Sequence, residues 1–225
     1  MPDLDADVRA IARILSKGGY SYDGTKALVK QARALAGLKR PKHSRGEVDR
    51  LSEEEQERFV AAAYTSAGVH GLMVQTLLLA GLRVAEFVAL RVEDLSMAEM
   101  ALTVQHGKGD VRRTVTIPSE LGRALRVHVG DRQAGPLFVS RAGGAYTTRR
   151  VQQIVKATAE AAGISKPVHP HLLRHTYAAV LRRRGVPVDV IREQLGHKHG
   201  STTELYYGRD PRRVAEAIRT AFANG

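Results

Sequence analysis

Residues 69–81, VHGLMVQTLLLAG, carry only His70, Gln75 and Thr76 as polar side chains and stop at a glycine. A helix that is apolar almost all round has to lie inside, with other elements packed about it. That requirement sets the class of fold: a helical domain large enough to enclose a central helix. The 225 residues suffice for one such core, or for one domain plus a small appendage. Past Gly81 a helical pattern resumes in LRVAEFVALR.

Around this helix the chain reads as two regions that part near residue 46. The first, residues 1–46, holds VRAIARIL and TKALVKQARALAGL, two small helices about the glycine-rich turn GGYSYDG. It closes with KRPKHSRG, a basic linker over residues 39–46 whose cations suit a phosphate backbone. The second, residues 47–225, opens on Ser52 and Glu55 at capping-box spacing. ALTVQ and RTVTI alternate as strands, so residues 101–117 form a β-hairpin with Lys108 near its tip. A short helix starts at Ser119, and LFVS reads as one further strand. In TTRRVQQIVKATAEAAG, Val151, Ile154, Val155, Thr158 and Ala159 share one helical face. The fold class is therefore mainly α with a small antiparallel β-sheet, an α+β arrangement.

Charge narrows the partner. The formal net charge is +12 with a pI near 10.3, which favours a polyanion, nucleic acid being the usual one. No apolar run approaches the roughly 18 residues of a membrane span, and the acidic start MPDLDADVRAIARIL does not suit a signal peptide; a cytoplasmic chain is expected. The absence of cysteine excludes disulfides, zinc–thiolate sites and cysteine nucleophiles.

HPHLLRHTYAAVLRRRG, from His169 to Gly185, concentrates the polar chemistry. Taken as a helix over residues 170–184 with Pro170 in its first turn, it buries Leu173, Tyr177, Val180 and Leu181. His171, Arg174 and His175 then share another face and point at one thing. Imidazoles at i and i+4 match a zinc pair, but a catalytic zinc wants a third protein ligand and an arginine between them repels a cation. An ordinary solvated face is a second reading. An anion site is the third: guanidinium offers a rigid fork of donors for phosphate oxygens, and a histidine beside it can move a proton.

The remaining motifs favour the third reading. AGLRVAEFVAL sets Arg83 after the glycine break with Glu86 one turn on; QHGKGDVRR sets Lys108 at the hairpin tip; LGHKHGSTTELYYG gives His197 and, nine positions later, Tyr206. With HLLR lying before LGH, the motifs of Arg83, Lys108, HLLR, LGH and Tyr206 make five which, in that order from about Leu51 to Tyr207, resemble the catalytic domain of the tyrosine recombinase, or phage integrase, family. The resemblance implies that family's catalytic-domain fold; the family usually sets a full helical DNA-clamping domain before it, and the short helical segment of residues 1–46 departs from that as a reduced or truncated clamping arm. It implies Tyr206 as nucleophile, Arg83 and Arg174 on the scissile phosphate, Lys108 as the hairpin lysine, and His171 and His197 as the two motif histidines. Glu86 falls where the family often has an acid. Tyr207 is a lesser alternative, because helical neighbours point about 100° apart and only one faces the arginines.

The chemistry wants these residue types. Charge on the non-bridging oxygens of an in-line transition state is stabilised by fixed donors, each typically worth about 3 kcal/mol. The phenol, with an ordinary pKa near 10, loses its proton more readily beside cations and a histidine base. A lysine on a mobile tip suits protonation of the departing 5′-oxygen. The covalent 3′-phosphotyrosyl link conserves the bond, so neither ATP nor a metal or other cofactor is expected. The partners implied are double-stranded DNA and three further copies of the chain, as a tetramer on DNA. The terminal DPRRVAEAIRTAFANG, with Asp210 as N-cap and Val214, Ile218, Ala221 and Phe222 on one face, either packs on its own domain or, as the resemblance implies, is exchanged between protomers. Cytoplasmic, nucleoid-associated action follows. Two competing readings remain: a type IB topoisomerase-like relaxing enzyme, and a non-cleaving DNA-binding regulator reading DNA with VDVIREQLGHKHGSTTELYYG. Taken singly, Arg83 and Glu86 could be a surface ion pair, and Arg149, Arg150 and Arg182–Arg184 either phosphate contacts or solvated cations.

Overall fold

The computed structural model describes residues 4–38, 50–66, 69–106, 111–196 and 211–223. Two compact units divide the chain, Met1–Gly46 and Glu47–Gly225. The first contains α1 (Leu4–Lys17) and α2 (Tyr22–Leu35). Ser21 caps α2, its hydroxyl accepting from the Gly24 N–H at 3.1 Å, so the turn is shorter than GGYSYDG and its last three residues are helical. α2 buries none of its residues. The linker 39–46 lies outside the described residues.

In the second unit α3 (Glu53–Thr65) starts on a complete capping box: Ser52 Oγ accepts from the Glu55 N–H at 3.1 Å, and the Ser52 N–H donates to Glu55 Oε2 at 2.7 Å. α4 (His70–Ala80) is the central helix, with eight of its eleven residues buried. It stops at Gly81, whose φ of +61° is left-handed. A Cβ there would meet the Tyr177 ring at 2.4 Å and Leu195 at 2.9 Å, so glycine is required by conformation and by space at once. α5 (Val84–Ala89) and a 3-10 turn (Val92–Asp94) lead into the sheet.

The sheet is antiparallel, with β1 (Leu95–Ser96), β2 (Ala101–His106) and β3 (Val111–Thr116) in the order β1-β2-β3. β2 and β3 pair from Ala101↔Thr116 to His106↔Val111. The expectation of a strand at LFVS is corrected: Leu137 and Phe138 are both buried in succession, whereas a pleated strand sends neighbours to opposite faces, and only isolated bridges flank them. The third strand is instead β1.

α6 (Ser119–Val129) and α7 (Thr148–Ala161) follow; α7 buries Val151, Ile154, Val155, Thr158 and Ala159, the face read from its period. α8 (Pro170–Arg183) has His169 as N-cap, its Nδ1 accepting from the Leu172 N–H at 3.2 Å. It buries Leu173, Tyr177 and Leu181 as expected, with Val180 only half-buried and Leu172, Arg174 and Thr176 buried as well. α9 (Val188–Leu195) and α10 (Pro211–Ala223) complete the unit. α10 sets Val214, Ile218 and Ala221 into a cluster with Tyr177, Leu181, Val190 and Leu195. Arg184 packs its guanidinium over the Phe222 ring and donates to the Ala221 carbonyl at 2.9 Å. Asp210 lies outside the described residues.

Candidate active site

The break between α4 and α5 builds the first half of the site. Arg83 stands at the N-cap of α5 in extended conformation, so its N–H has no helical partner. Glu86, three residues on, folds back and accepts that N–H on Oε2 at 2.9 Å. The same carboxylate accepts the Arg83 guanidinium on Oε1 at 2.9 Å. From β3, Arg113 closes a fork on it, Nη1 to Oε1 at 2.9 Å and Nη2 to Oε2 at 2.8 Å. The side chains of Glu86 and Arg113 are 5% and 7% exposed, that of Arg83 43%. The pair of Arg83 and Glu86 is therefore one edge of a buried cluster and not a surface ion pair.

Arg174 supplies the second half from α8. Its Nη1 donates to the Gly81 carbonyl and its Nη2 to the Leu195 carbonyl, both at 2.6 Å, and Nη1 lies 3.9 Å from Glu86 Oε2. The guanidinium thus bridges the carboxyl ends of α4 and α9, where the helix dipoles are negative. Burial pulls its pKa down to about 10, with the Arg83 charge adding to this and Glu86 opposing it; it stays protonated at neutral pH. Burial pushes the Glu86 carboxyl up, but the Arg113 fork, the Arg83 N–H, the Arg113 charge and the Arg83 side-chain bond prevail and hold it at about 2.

The expectation that His171, Arg174 and His175 share one face is corrected. Arg174 is 3% exposed and turned inward, because two helix ends offer it carbonyls there. The two histidines stay at the surface of α8 and turn on each other, Nε2 to Nε2 at 2.9 Å. Burial lowers the pKa of both rings, and the neighbouring positive groups lower them further.

Arg83, Glu86, His171 and Arg174 are thus brought to one region. Lys108, His197, Tyr206 and Tyr207 lie outside the described residues. Sequence reasoning missed Arg113 and Gln194. Gln194, fully buried on α9, donates to the Thr116 carbonyl at 2.7 Å and to the Tyr177 hydroxyl at 3.0 Å, and accepts from the Thr116 N–H at 3.2 Å. Its own carbonyl accepts from Arg113 Nε at 3.3 Å. Arg113 was findable: it falls in the parity of Val115 and Ile117, which face the core. Arg149, Arg150, Arg182 and Arg183 are exposed, Arg183 paired with Glu53 at 2.5 Å.

The model of the phage integrase family matches residues 49–213. A protein named tyrosine recombinase from Pseudothermotoga lettingae is 34% identical over 200 residues, 88% of this chain and 69% of that one. A tyrosine recombinase XerD from Ralstonia nicotianae is 34% identical over 168 residues, 69% of this chain and 54% of that one. Among solved structures, a XerA recombinase superposes with a TM-score of 0.63 at 30% identity, covering 92% of this chain and 79% of the other. The chain thus spans between about half and two thirds of the length of the two named relatives.

Proposed function

Because the chain belongs to the phage integrase family and carries the tyrosine recombinase catalytic fold, we propose that it is a site-specific recombinase that cleaves and rejoins double-stranded DNA through a 3′-phosphotyrosyl link on Tyr206. The observation that carries this reading is the convergence of Arg83 and Arg174 on one buried carboxylate, at 2.9 and 3.9 Å. With Arg113, three guanidinium groups surround one carboxylate, an excess of two positive charges among these four side chains, anchored on the buried Glu86 and Arg113 with Arg83 at the open edge. Such preorganised charge suits the dianionic transition state of phosphoryl transfer, because nothing has to reorient as charge develops.

In the reaction Tyr206 attacks the scissile phosphate in line, and the 5′-oxygen departs with a proton from Lys108. Arg83 and Arg174 hold the non-bridging oxygens. His171 and His197 hydrogen-bond the phosphate and move protons. The reverse attack by a 5′-hydroxyl of a second strand restores the phosphodiester, so the bond energy is kept without ATP. The site residues require no metal, since arginine charge performs the electrophilic role. The chain acts as a tetramer on DNA, with α10 passed to a neighbouring protomer; the cluster it fills on its own chain, Val214, Ile218 and Ala221 against Leu195 and Tyr177, would be filled identically by a neighbour's helix. The unit Met1–Gly46 serves as a DNA-clamping arm, and the protein works at the nucleoid.

The test is covalent capture. Synthetic duplexes with randomised inverted repeats and a nicked spacer are incubated with the full chain, denatured in detergent, and the protein-bound DNA is sequenced. A denaturation-resistant adduct on a defined sequence is expected, lost in Tyr206→Phe and kept in Tyr207→Phe. An adduct kept in Tyr206→Phe and lost in Tyr207→Phe overturns the nucleophile. Salt-sensitive binding without any adduct supports the regulator instead, and relaxation of supercoils without sequence preference the topoisomerase.

A further inference from the structure

The motif read as HPHLLRH contains two histidines that the proposed reaction does not use, His169, which caps α8, and His175. His175 follows His171 by one helical turn, and their Nε2 atoms lie 2.9 Å apart with ring centroids at 4.3 Å and planes at 75°. That is hydrogen-bond distance between two atoms of which each is a donor or an acceptor according to its proton. One proton therefore lies between them: the bond forms only when one Nε2 carries it and the other does not. Two imidazolium rings would lose the bond and repel at contact, so the bonded pair carries at most one proton beyond two neutral rings. The charged and titratable groups facing it are Arg174 on the same helix, Arg83 at the head of α5 and His169 at the N-cap. His169 already spends its Nδ1 as a helix cap.

We propose that His175 is a positioning residue for strand cleavage, holding the His171 ring by its Nε2 and thereby setting which protonation state His171 Nδ1 presents to the substrate. This rests on the strand-transfer reading above. When His175 donates, neutral His171 carries its proton on Nδ1 and is a donor to a phosphate oxygen. When His171 donates, its Nδ1 is bare and is a base. A proton taken up at Nδ1 is then balanced by passing the Nε2 proton to His175 Nε2, which moves the charge onto the second ring. His171 thus changes from acceptor to donor without turning its ring, as a group that serves in both cleavage and rejoining must. The tautomer of a working histidine is commonly fixed by the partner of its other nitrogen.

Histidine ring signals of the full chain labelled with nitrogen-15 read the pair directly. His171→Gln and His175→Gln assign the two rings. In the unsubstituted protein the long-range proton–nitrogen correlations are expected to show the two Nε2 atoms sharing one proton. In His175→Leu the His171 titration midpoint is expected to move upward, because a repelling neighbour and a competing bond are gone. A His171 tautomer and midpoint unchanged in His175→Leu overturns the proposal. With the DNA sequence recovered by covalent capture, His175→Leu is expected to form adduct roughly tenfold more slowly, a fraction of the roughly 10²–10⁴-fold that a general acid–base supplies. Its pH–rate profile should move with the ring midpoint, and His175→Gln, which keeps a donor and an acceptor, should recover part of the rate. A wild-type rate and pH profile in His175→Leu overturns the role even where the rings respond. No adduct from the unsubstituted chain refutes strand transfer itself, and is distinguished from failure of the pair by the ring signals.

Discussion

Replacing Glu86 by glutamine keeps the shape of the side chain and removes the charge that three guanidinium groups share. The structure fixes what this should cost. The carboxyl is 5% exposed and its pKa falls from 4.5 to about 2 on folding. At about 1.4 kcal/mol for each tenfold change, the ionised form contributes about 3 kcal/mol of stability at neutral pH. The general cost of breaking a buried ion pair by removing one partner, about 3–5 kcal/mol, agrees. The sign follows from the direction of the displacement. A carboxyl held below its ordinary value stabilises fully above 4.5, and that stability drains away as pH falls through 2. The gap between wild type and Glu86→Gln should therefore be about 3 kcal/mol at pH 7 and about half that at pH 3. Urea unfolding followed by far-ultraviolet circular dichroism reads both values, the chain having no tryptophan. A gap below about 1 kcal/mol at pH 7, or one that stays constant down to pH 3, would refute the claim that this carboxylate holds the arginines through its charge.

Two further substitutions separate stability from chemistry. Arg113→Met removes a 7% exposed partner and should destabilise by about 3–5 kcal/mol, whereas Arg83→Ala removes a 43% exposed one and should cost about 1 kcal/mol or less; equal urea midpoints would contradict the burial argument. Arg83→Ala should nonetheless lower adduct formation by about 10²–10³-fold. Gly81→Ala meets both a left-handed φ and the Tyr177 ring at 2.4 Å, and should cost about 2–5 kcal/mol. Gly163→Ala, with φ +64° and its nearest neighbour at 3.9 Å, should cost about 1–2 kcal/mol, and thermal melts of the two compare them.

Much of this architecture was legible because it is local. The capping box at Ser52, the face of α7, the glycine stop at Gly81 and the start of α6 at Ser119 are each settled within a few residues of chain. What escaped is set by distance. The side chain of Arg174 is oriented by Gly81 and Leu195, 93 and 21 positions away, and nothing in HPHLLRH says that two carbonyls wait inside. Helical period alone placed it beside His171 and His175. Arg113 was hidden differently: its strand parity points inward, but arginine is a residue that sits inside only when paired, and the partner Glu86 is 27 positions back. LFVS misled because two consecutive apolar residues entering a core look alike whether they come from a strand or from a coil, as with Phe138 stacked on Phe87.

The choice of partners explains how the cluster can be both stable and still attractive to a phosphate. If each buried arginine were matched by its own carboxylate, the frame would hold but its charge would be cancelled. Arg174 is anchored by two carbonyls, which orient the fork and complement it with dipoles while leaving its unit charge intact. Among the described residues Glu86 is the acid these three arginines share, and the Arg113 fork occupies both of its oxygens. The more exposed Arg83 therefore shares its acceptor oxygen with a competitor, and its attraction to an incoming phosphate is only partly spent. Arg113 thus supports the site by engaging the acid and so leaving the other two guanidinium groups with charge to spare. A substitution that added a second carboxylate here would make the fold more neutral and the site weaker for an anion.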